Sequence, residues 1–380
     1  MSAGEIVGRH YSTREALRVT WRDGVITSIE PISAATDDRW IAPALVDLQV
    51  NGFAGVDFQQ DNLTAEQLVT AARGLRAAGC TRFLLTLITD DWSRLLARLR
   101  HLRSLRGTSP ELQRAIAGWH IEGPFLSAEP GYCGAHDPRW MRDPTPADIK
   151  ELRDATGNDT VLLTIAPERH GALEAIQLAA SFGLKVSLGH TNASAEILQR
   201  AVAAGAVAFT HLGNGCPREL DRHDNILWRV FDLARSAEQE LGAPRLHVSL
   251  IPDGIHVSPA LFRLAHRELG DRAFYVSDAM SAGGSPPGRY KLGALELEVG
   301  PDQVVRFPGR TNFAGSALRP LDGVVCAVTM LGEPWQAAWR RSSETPARLL
   351  GLPSGLTVGE PAEFCVVTAA PFCLTLSAVS

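Results

Sequence analysis

Eight short apolar runs recur through the middle of the chain, at 45–50, 83–88, 117–121, 161–165, 185–188, 207–210, 248–251 and 274–277. Most are separated by segments with helical spacing. Residues 64–78 begin at Thr64, a suitable N-cap, and are closed by Gly79; 194–204 are closed by Gly205 and 258–268 by Gly270. Strands that alternate with helices must pair in parallel, and eight such units close into a barrel. The ends of the chain have another rhythm. Residues 18–21 and 25–29 alternate around Asp23-Gly24, a strong hairpin signal, and 356–376 are again β-rich. The expected fold is α/β: a (β/α)8 TIM-type barrel over 43–349, with a small β-sandwich domain formed by the N- and C-terminal segments, 1–42 and 350–380.

Length agrees, since 380 residues accommodate one barrel of about 250 residues and a small second domain. A net charge of -5 gives no attraction for nucleic acid, and any phosphate site has to be local. The six cysteines are scattered with no C-x-x-C pair, which points to reduced thiols. The first residues lack the apolar core of a signal peptide, and no apolar stretch is long enough to span a membrane. A cytoplasmic protein is expected.

In such a barrel the chemistry lies at the C-terminal ends of the strands. Polar residues fall at those ends: Asp47, Gln49 and Asn51 on run one, Glu122 after run three, His190 after run five, His211 after run six, Asp253 and His256 after run seven, and Asp278 after run eight. A lone histidine at a strand end is more often a satisfied core group than a ligand. Two on adjacent strands plus a carboxylate are what one divalent metal needs, with a position left for water. His120 and Glu122 face the same side of their strand, so either could be the third ligand; Glu122 is favoured because it stands nearer the strand end. Asp278 is suited to serve as base toward the attacking water and then as acid toward a leaving amine.

Several segments resemble, in order, the motifs of the N-acetylglucosamine-6-phosphate deacetylases of the amidohydrolase superfamily: His-Ile-Glu-Gly-Pro-Phe-Leu at 120–126, Gly-Ala-His-Asp-Pro at 134–138, Ser-Leu-Gly-His-Thr-Asn-Ala at 187–193, Thr-His-Leu-Gly-Asn at 210–214, Asp-Gly-Ile-His at 253–256, Val-Ser-Asp-Ala at 276–279 and Ala-Gly-Ser-Ala-Leu at 314–318. The resemblance implies metal ligands at Glu122, His190 and His211, and Asp278 as catalytic acid/base. It also implies substrate contacts from Ala135 and His136, with His136 polarising the amide carbonyl. Asn214, Gly215 and Arg222 would meet the phosphate, Asp253 and His256 would line the sugar, and Phe313, Ala314 and Gly315 would lie over it. It implies a homodimer as well.

Run one lacks the His-x-His that holds a second metal in many amidohydrolases and carries Gln49 and Asn51 instead. Amides are weak ligands, so one divalent metal per subunit is expected, Zn2+ ahead of Fe, Mn, Co or Ni. The segment after His211 reads Leu-Gly-Asn-Gly-Cys-Pro, where the family more usually has an aromatic before the Asn and Ala-Met after it. That change alters the sugar-facing surface and leaves the deacetylation residues in place. The rivals are a deacetylase of an unphosphorylated or differently substituted N-acetyl amino sugar, and a cyclic-amide hydrolase of the dihydroorotase kind. The second usually needs a carboxylated lysine after a barrel strand, and no lysine stands in a suitable place. A sugar-phosphate sensor on an inactive barrel would have lost one of Glu122, His190, His211 or Asp278, and all four are present.

Overall fold

A computed structural model describes residues 3–33, 38–239, 246–309, 313–353, 355–370 and 373–379. Its centre is a run of eight strands in chain order: β1 Leu45–Val50, β2 Cys80–Ile88, β3 Ile116–Glu122, β4 Thr160–Ile165, β5 Lys185–Leu188, β6 Ala206–Phe209, β7 His247–Leu250 and β8 Ala273–Tyr275. Each pairs in parallel with the next. The seam between β8 and β1 closes just beyond β8. There Val50 bridges Ala279, and the Asn51 N–H donates to the Ala279 carbonyl at 2.7 Å. The Ser277 N–H lies 3.2 and 3.1 Å from the two oxygens of the buried Asp47 carboxylate.

The expected helices form where their caps lie. Ala65–Ala77 starts at a Thr64 capping box, and Ala195–Ala203 and Pro259–Leu269 start at Ser194 and Ser258, whose hydroxyls accept from the third backbone N–H of each helix. A three-stranded antiparallel sheet over Gly288–Leu292, Leu295–Val299 and Val305–Arg306 follows β8 and was not foreseen from the apolar runs. Three helices, Pro320–Leu331, Trp335–Ser342 and Glu344–Leu350, complete the ring.

Both termini build the second domain. Its strands lie in the order Cys373–Val379, Phe364–Ala370, Arg39–Pro43, Ala3–His10, Ala16–Arg22 and Val25–Pro31. Ala16–Arg22 and Val25–Pro31 form the hairpin that Asp23-Gly24 announced, and both turn residues have positive φ, 54° and 76°. The sequence pointed to a sandwich, whereas the described strands make one six-stranded sheet. Alternation supplies the reason. Ile41 and Val366 pack into a small cluster with Leu17, Val19 and Ile26, while Ala42, Cys365 and Val367 join the main core. The barrel covers one face of this sheet, and on the other the sheet's own strands pack together through Leu17, Val19, Ile26, Ile41 and Val366. Among the described residues no helix is long and apolar enough to cross a membrane.

Candidate metal centre

Three polar residues leave their strands through left-handed backbone: His190 after β5 (φ 51°), His211 after β6 (φ 33°) and Asp278 after β8 (φ 50°). Non-glycine residues adopt this region at a cost of order 1–3 kcal/mol, and such strain clusters at functional sites. Here the turn brings both imidazoles onto the carboxylate that ends β3. Glu122 Oε1 lies 2.9 Å from His211 Nε2 and 3.3 Å from His190 Nε2, and Glu122 Oε2 lies 3.7 Å from His136 Nε2. All four side chains are buried. The ring centroids of His190 are 4.6 Å from those of His136 and 4.9 Å from those of His211.

Burial alone would raise the Glu122 carboxyl, but hydrogen bonds with His190 and His211 hold it well below the usual carboxylate range. Burial also opposes charge on His211, and there the contact with Glu122 outweighs it and raises the imidazole. Burial and the neighbouring His190 lower His136 to about 3, so its ring is neutral near pH 7. Asp278 behaves in the opposite sense to Glu122. Burial first, then the Glu122 charge, push it up to about 6, the range in which one carboxyl can both take and return a proton.

Among the described residues, Glu122, His136 and His190 offer ligand atoms within 4.8 Å of one another. The sequence singled out His211 rather than His136 as the second imidazole ligand. The far ring nitrogens of the three imidazoles have different surroundings. His136 Nδ1 accepts from the Thr89 backbone N–H at 3.3 Å and lies 2.9 Å from the Thr89 hydroxyl, which can donate or accept, while Nε2 faces Glu122. His190 Nδ1 lies 2.6 Å from the Tyr132 carbonyl, which only accepts, so that nitrogen holds the proton and Nε2 presents a lone pair. His211 has Nε2 toward Glu122 and a buried Nδ1 with no partner among the described residues. Glu122 thus has three imidazoles within reach, His211 and His190 at Oε1 and His136 at Oε2.

The amides of run one hold the carboxylates. Gln49 Nε2 donates to Glu122 Oε1 at 2.9 Å, and Asn51 Nδ2 to Asp278 Oδ1 at 2.7 Å. The sequence placed both residues at the barrel mouth without giving them a partner; Thr89 and the Tyr132 carbonyl carried no signal there at all.

The remaining expected residues divide between two cavities and the surface. Asp253, His256 and Gly315 line a cavity of about 440 Å³. His256 Nδ1 lies 2.6 Å from Asp253 Oδ2, and its ring is 5.8 Å from that of Phe313, which is half exposed. Ala314 is buried beside them. Ala135 and His136 line a separate cavity of about 830 Å³. Asn214 turns its amide back to the His211 carbonyl at 3.3 Å. Gly215 sits against His190, where a Cβ would come within 2.8 Å of the imidazole, and its φ is 58°. Arg222 is exposed and lines neither cavity.

No protein-family model matches the chain. The chain is 32% identical over 335 residues to the N-acetylglucosamine-6-phosphate deacetylase of Vibrio furnissii, covering 86% of this chain and 79% of that protein. It is 31% identical over 352 residues to the N-acetylgalactosamine-6-phosphate deacetylase of Escherichia coli O157:H7, covering 91% and 88%. The N-acetyl-D-glucosamine-6-phosphate deacetylase of Mycobacterium smegmatis, solved in complex with N-acetyl-D-glucosamine-6-phosphate, superposes with a TM-score of 0.87 at 30% identity, over 100% of this chain and 98% of that one. Similarity of this extent, on a barrel whose strand ends converge on one buried carboxylate–imidazole cluster, makes the chain a member of the N-acetylglucosamine-6-phosphate deacetylase family of the amidohydrolase superfamily.

Proposed function

We propose that this chain hydrolyses the acetamide of N-acetylglucosamine 6-phosphate to glucosamine 6-phosphate and acetate, using one divalent metal. The buried cluster of Glu122, His190 and His211 next to Asp278, in a chain 32% identical to an N-acetylglucosamine-6-phosphate deacetylase, carries the reading. Glu122, His190 and His211 hold the ion, and a carboxylate with two imidazoles suits Zn2+. The ion supplies Lewis acidity and lowers the pKa of a coordinated water to about 7. Asp278, held by Asn51, takes a proton from the water that attacks the amide carbon. His136 Nε2–H donates to the carbonyl oxygen as it gains charge. Asp278 then returns the proton to the nitrogen as the C–N bond breaks.

On this reading the sugar lies toward Asp253, His256 and Phe313–Gly315, with Asn214 and Gly215 beside it. The Arg222 guanidinium makes no ion pair among the described residues, which suits a phosphate contact shared across a homodimer. The deciding experiment is acetate release by the metal-analysed protein from N-acetylglucosamine 6-phosphate, N-acetylgalactosamine 6-phosphate and unphosphorylated N-acetylglucosamine. Preference for the first supports the reading. Equal rates on the free sugar would remove the phosphate from it, and no acetate from any of the three would overturn it.

A further inference from the structure

His190 reaches the metal centre through left-handed backbone, and a residue persists there only when its surroundings fix it. The other two left-handed residues of the site show how that is done. The His211 N–H donates to the Ser249 hydroxyl at 2.7 Å, and the N–H of Ser277, which precedes Asp278, meets the Asp47 carboxylate. In both cases a polar side chain rooted on another barrel strand grips the backbone at the turn, since Ser249 stands on β7 and Asp47 on β1.

For His190 that side chain is Glu168, which stands just beyond β4. Its Oε1 accepts from the Asn192 N–H at 3.1 Å, and its Oε2 accepts from the Thr191 hydroxyl, which itself accepts from the Ala193 N–H at 2.9 Å. One carboxylate thereby fixes the segment that follows His190. Arg229, on the helix Ile226–Gln239, adds a second grip. Its Nη1 lies 3.1 Å from the Asn192 carbonyl, 3.2 Å from the Asn192 side-chain oxygen and 3.0 Å from the Ala193 carbonyl, while its Nε pairs with Asp224 at 2.5 Å. Backbone alone supplies less: the Thr191 N–H donates to the Gly215 carbonyl at 3.1 Å, and the His190 carbonyl accepts from the Ser127 N–H at 3.2 Å. Among the described residues Glu168 makes no hydrogen bond to Glu122, His136, His211 or Asp278, so any effect on the centre passes through the turn.

We propose that Glu168 is a positioning residue for the metal: by fixing Thr191 and Asn192 it holds the His190 imidazole where Nε2 meets Glu122. The inference rests on the metal reading above, and the test separates the two. The affinity of the purified chain for Zn2+ is measured by competition with a chromophoric chelator in the wild type, Glu168→Ala, Glu168→Gln and Glu363→Ala. Groups that orient a ligating imidazole are worth about 10–100-fold in metal affinity, and Glu168→Ala should bind Zn2+ more weakly by that factor. Glu168→Gln keeps an oxygen for the Asn192 N–H and should recover most of the loss. Glu363→Ala, whose lost contacts are with Thr81 and Arg82, weakens the fold elsewhere and should keep the wild-type affinity. Wild-type affinity in a folded Glu168→Ala overturns the proposal. An equal loss in Glu363→Ala also overturns it, because the loss would then follow stability alone. Should Glu168→Ala not fold, Thr191→Val removes only the hydroxyl that Glu168 accepts. A loss of about tenfold there supports the proposal, and unchanged affinity overturns it. A wild type that binds no Zn2+ refutes the metal reading itself.

Discussion

His136 and His190 lie with their rings in contact, yet their Nδ1 atoms meet different partners, Thr89 and the Tyr132 carbonyl. That difference makes separable predictions. His190→Ala should lose the metal, measured by elemental analysis of the purified protein. His136→Ala should keep a full metal complement while kcat falls by about 10²–10³-fold, the usual worth of a donor to a developing oxyanion. Loss of metal from His136→Ala would instead make it a ligand. Asp278→Asn should keep metal and substrate binding and cut kcat by about 10²–10⁴-fold. Asn51→Ala should cost about 10–100-fold in kcat with metal retained, as expected for a group that orients a reacting carboxylate. Wild-type kcat in that variant would make the Asn51–Asp278 contact a packing detail.

Closure of the barrel depends on Asp47, which ties β1 to the Ser277 N–H beyond β8. Burial, only partly offset by its hydrogen bonds, pushes this carboxyl up to about 7 from an ordinary 3.8. A carboxyl raised in the folded state gives stability that is complete below about pH 4 and lost as the pH rises through about 7, up to about 4 kcal/mol for a shift of this size. Asp47→Asn keeps an acceptor for Ser277 and removes the charge. Its urea midpoint should therefore rise relative to the wild type between pH 5 and pH 8. A constant difference across that range would show that Asp47 carries no such strain. The helices around the barrel need no comparable device, since Thr64, Ser194 and Ser258 cap them locally.

The terminal sheet is tied to the barrel by polar contacts as well as by shared core. Arg82 on β2 meets Glu363 at 2.6 Å, Thr81 donates to the same carboxylate at 3.2 Å, and the Trp339 indole donates to the Pro43 carbonyl at 2.8 Å. The Arg82–Glu363 pair is largely buried, with side chains 12% and 16% exposed. Glu363→Ala strands the guanidinium and should cost about 2–3 kcal/mol, below the cost for a fully buried pair. Calorimetry should show one transition at lower temperature, with turnover at 25 °C unchanged. Two transitions would mean that this contact, more than the shared core, couples the sheet to the barrel.

Strand and helix periods are local, so the eight runs, the capped helices and the Asp23-Gly24 hairpin were legible before any contact was known. Barrel topology then gathers the ends of β3, β5, β6 and β8, which is why Glu122, His190, His211 and Asp278 could be named together. The sheet after β8 was not legible, because its short strands carry charged residues such as Arg289, Lys291, Glu296 and Glu298 between the apolar ones. Nor was the division of labour among the imidazoles. Their far nitrogens meet Thr89 and the Tyr132 carbonyl, partners that no composition can announce. The Asn51–Asp278 bond joins positions 227 apart and exists only once the barrel closes. The sequence by itself determined which groups reach the barrel mouth, because strand periodicity and order are written locally. Which partner each of them meets was left to tertiary structure, because contacts such as Gln49–Glu122 and Asn51–Asp278 form only across the closed barrel.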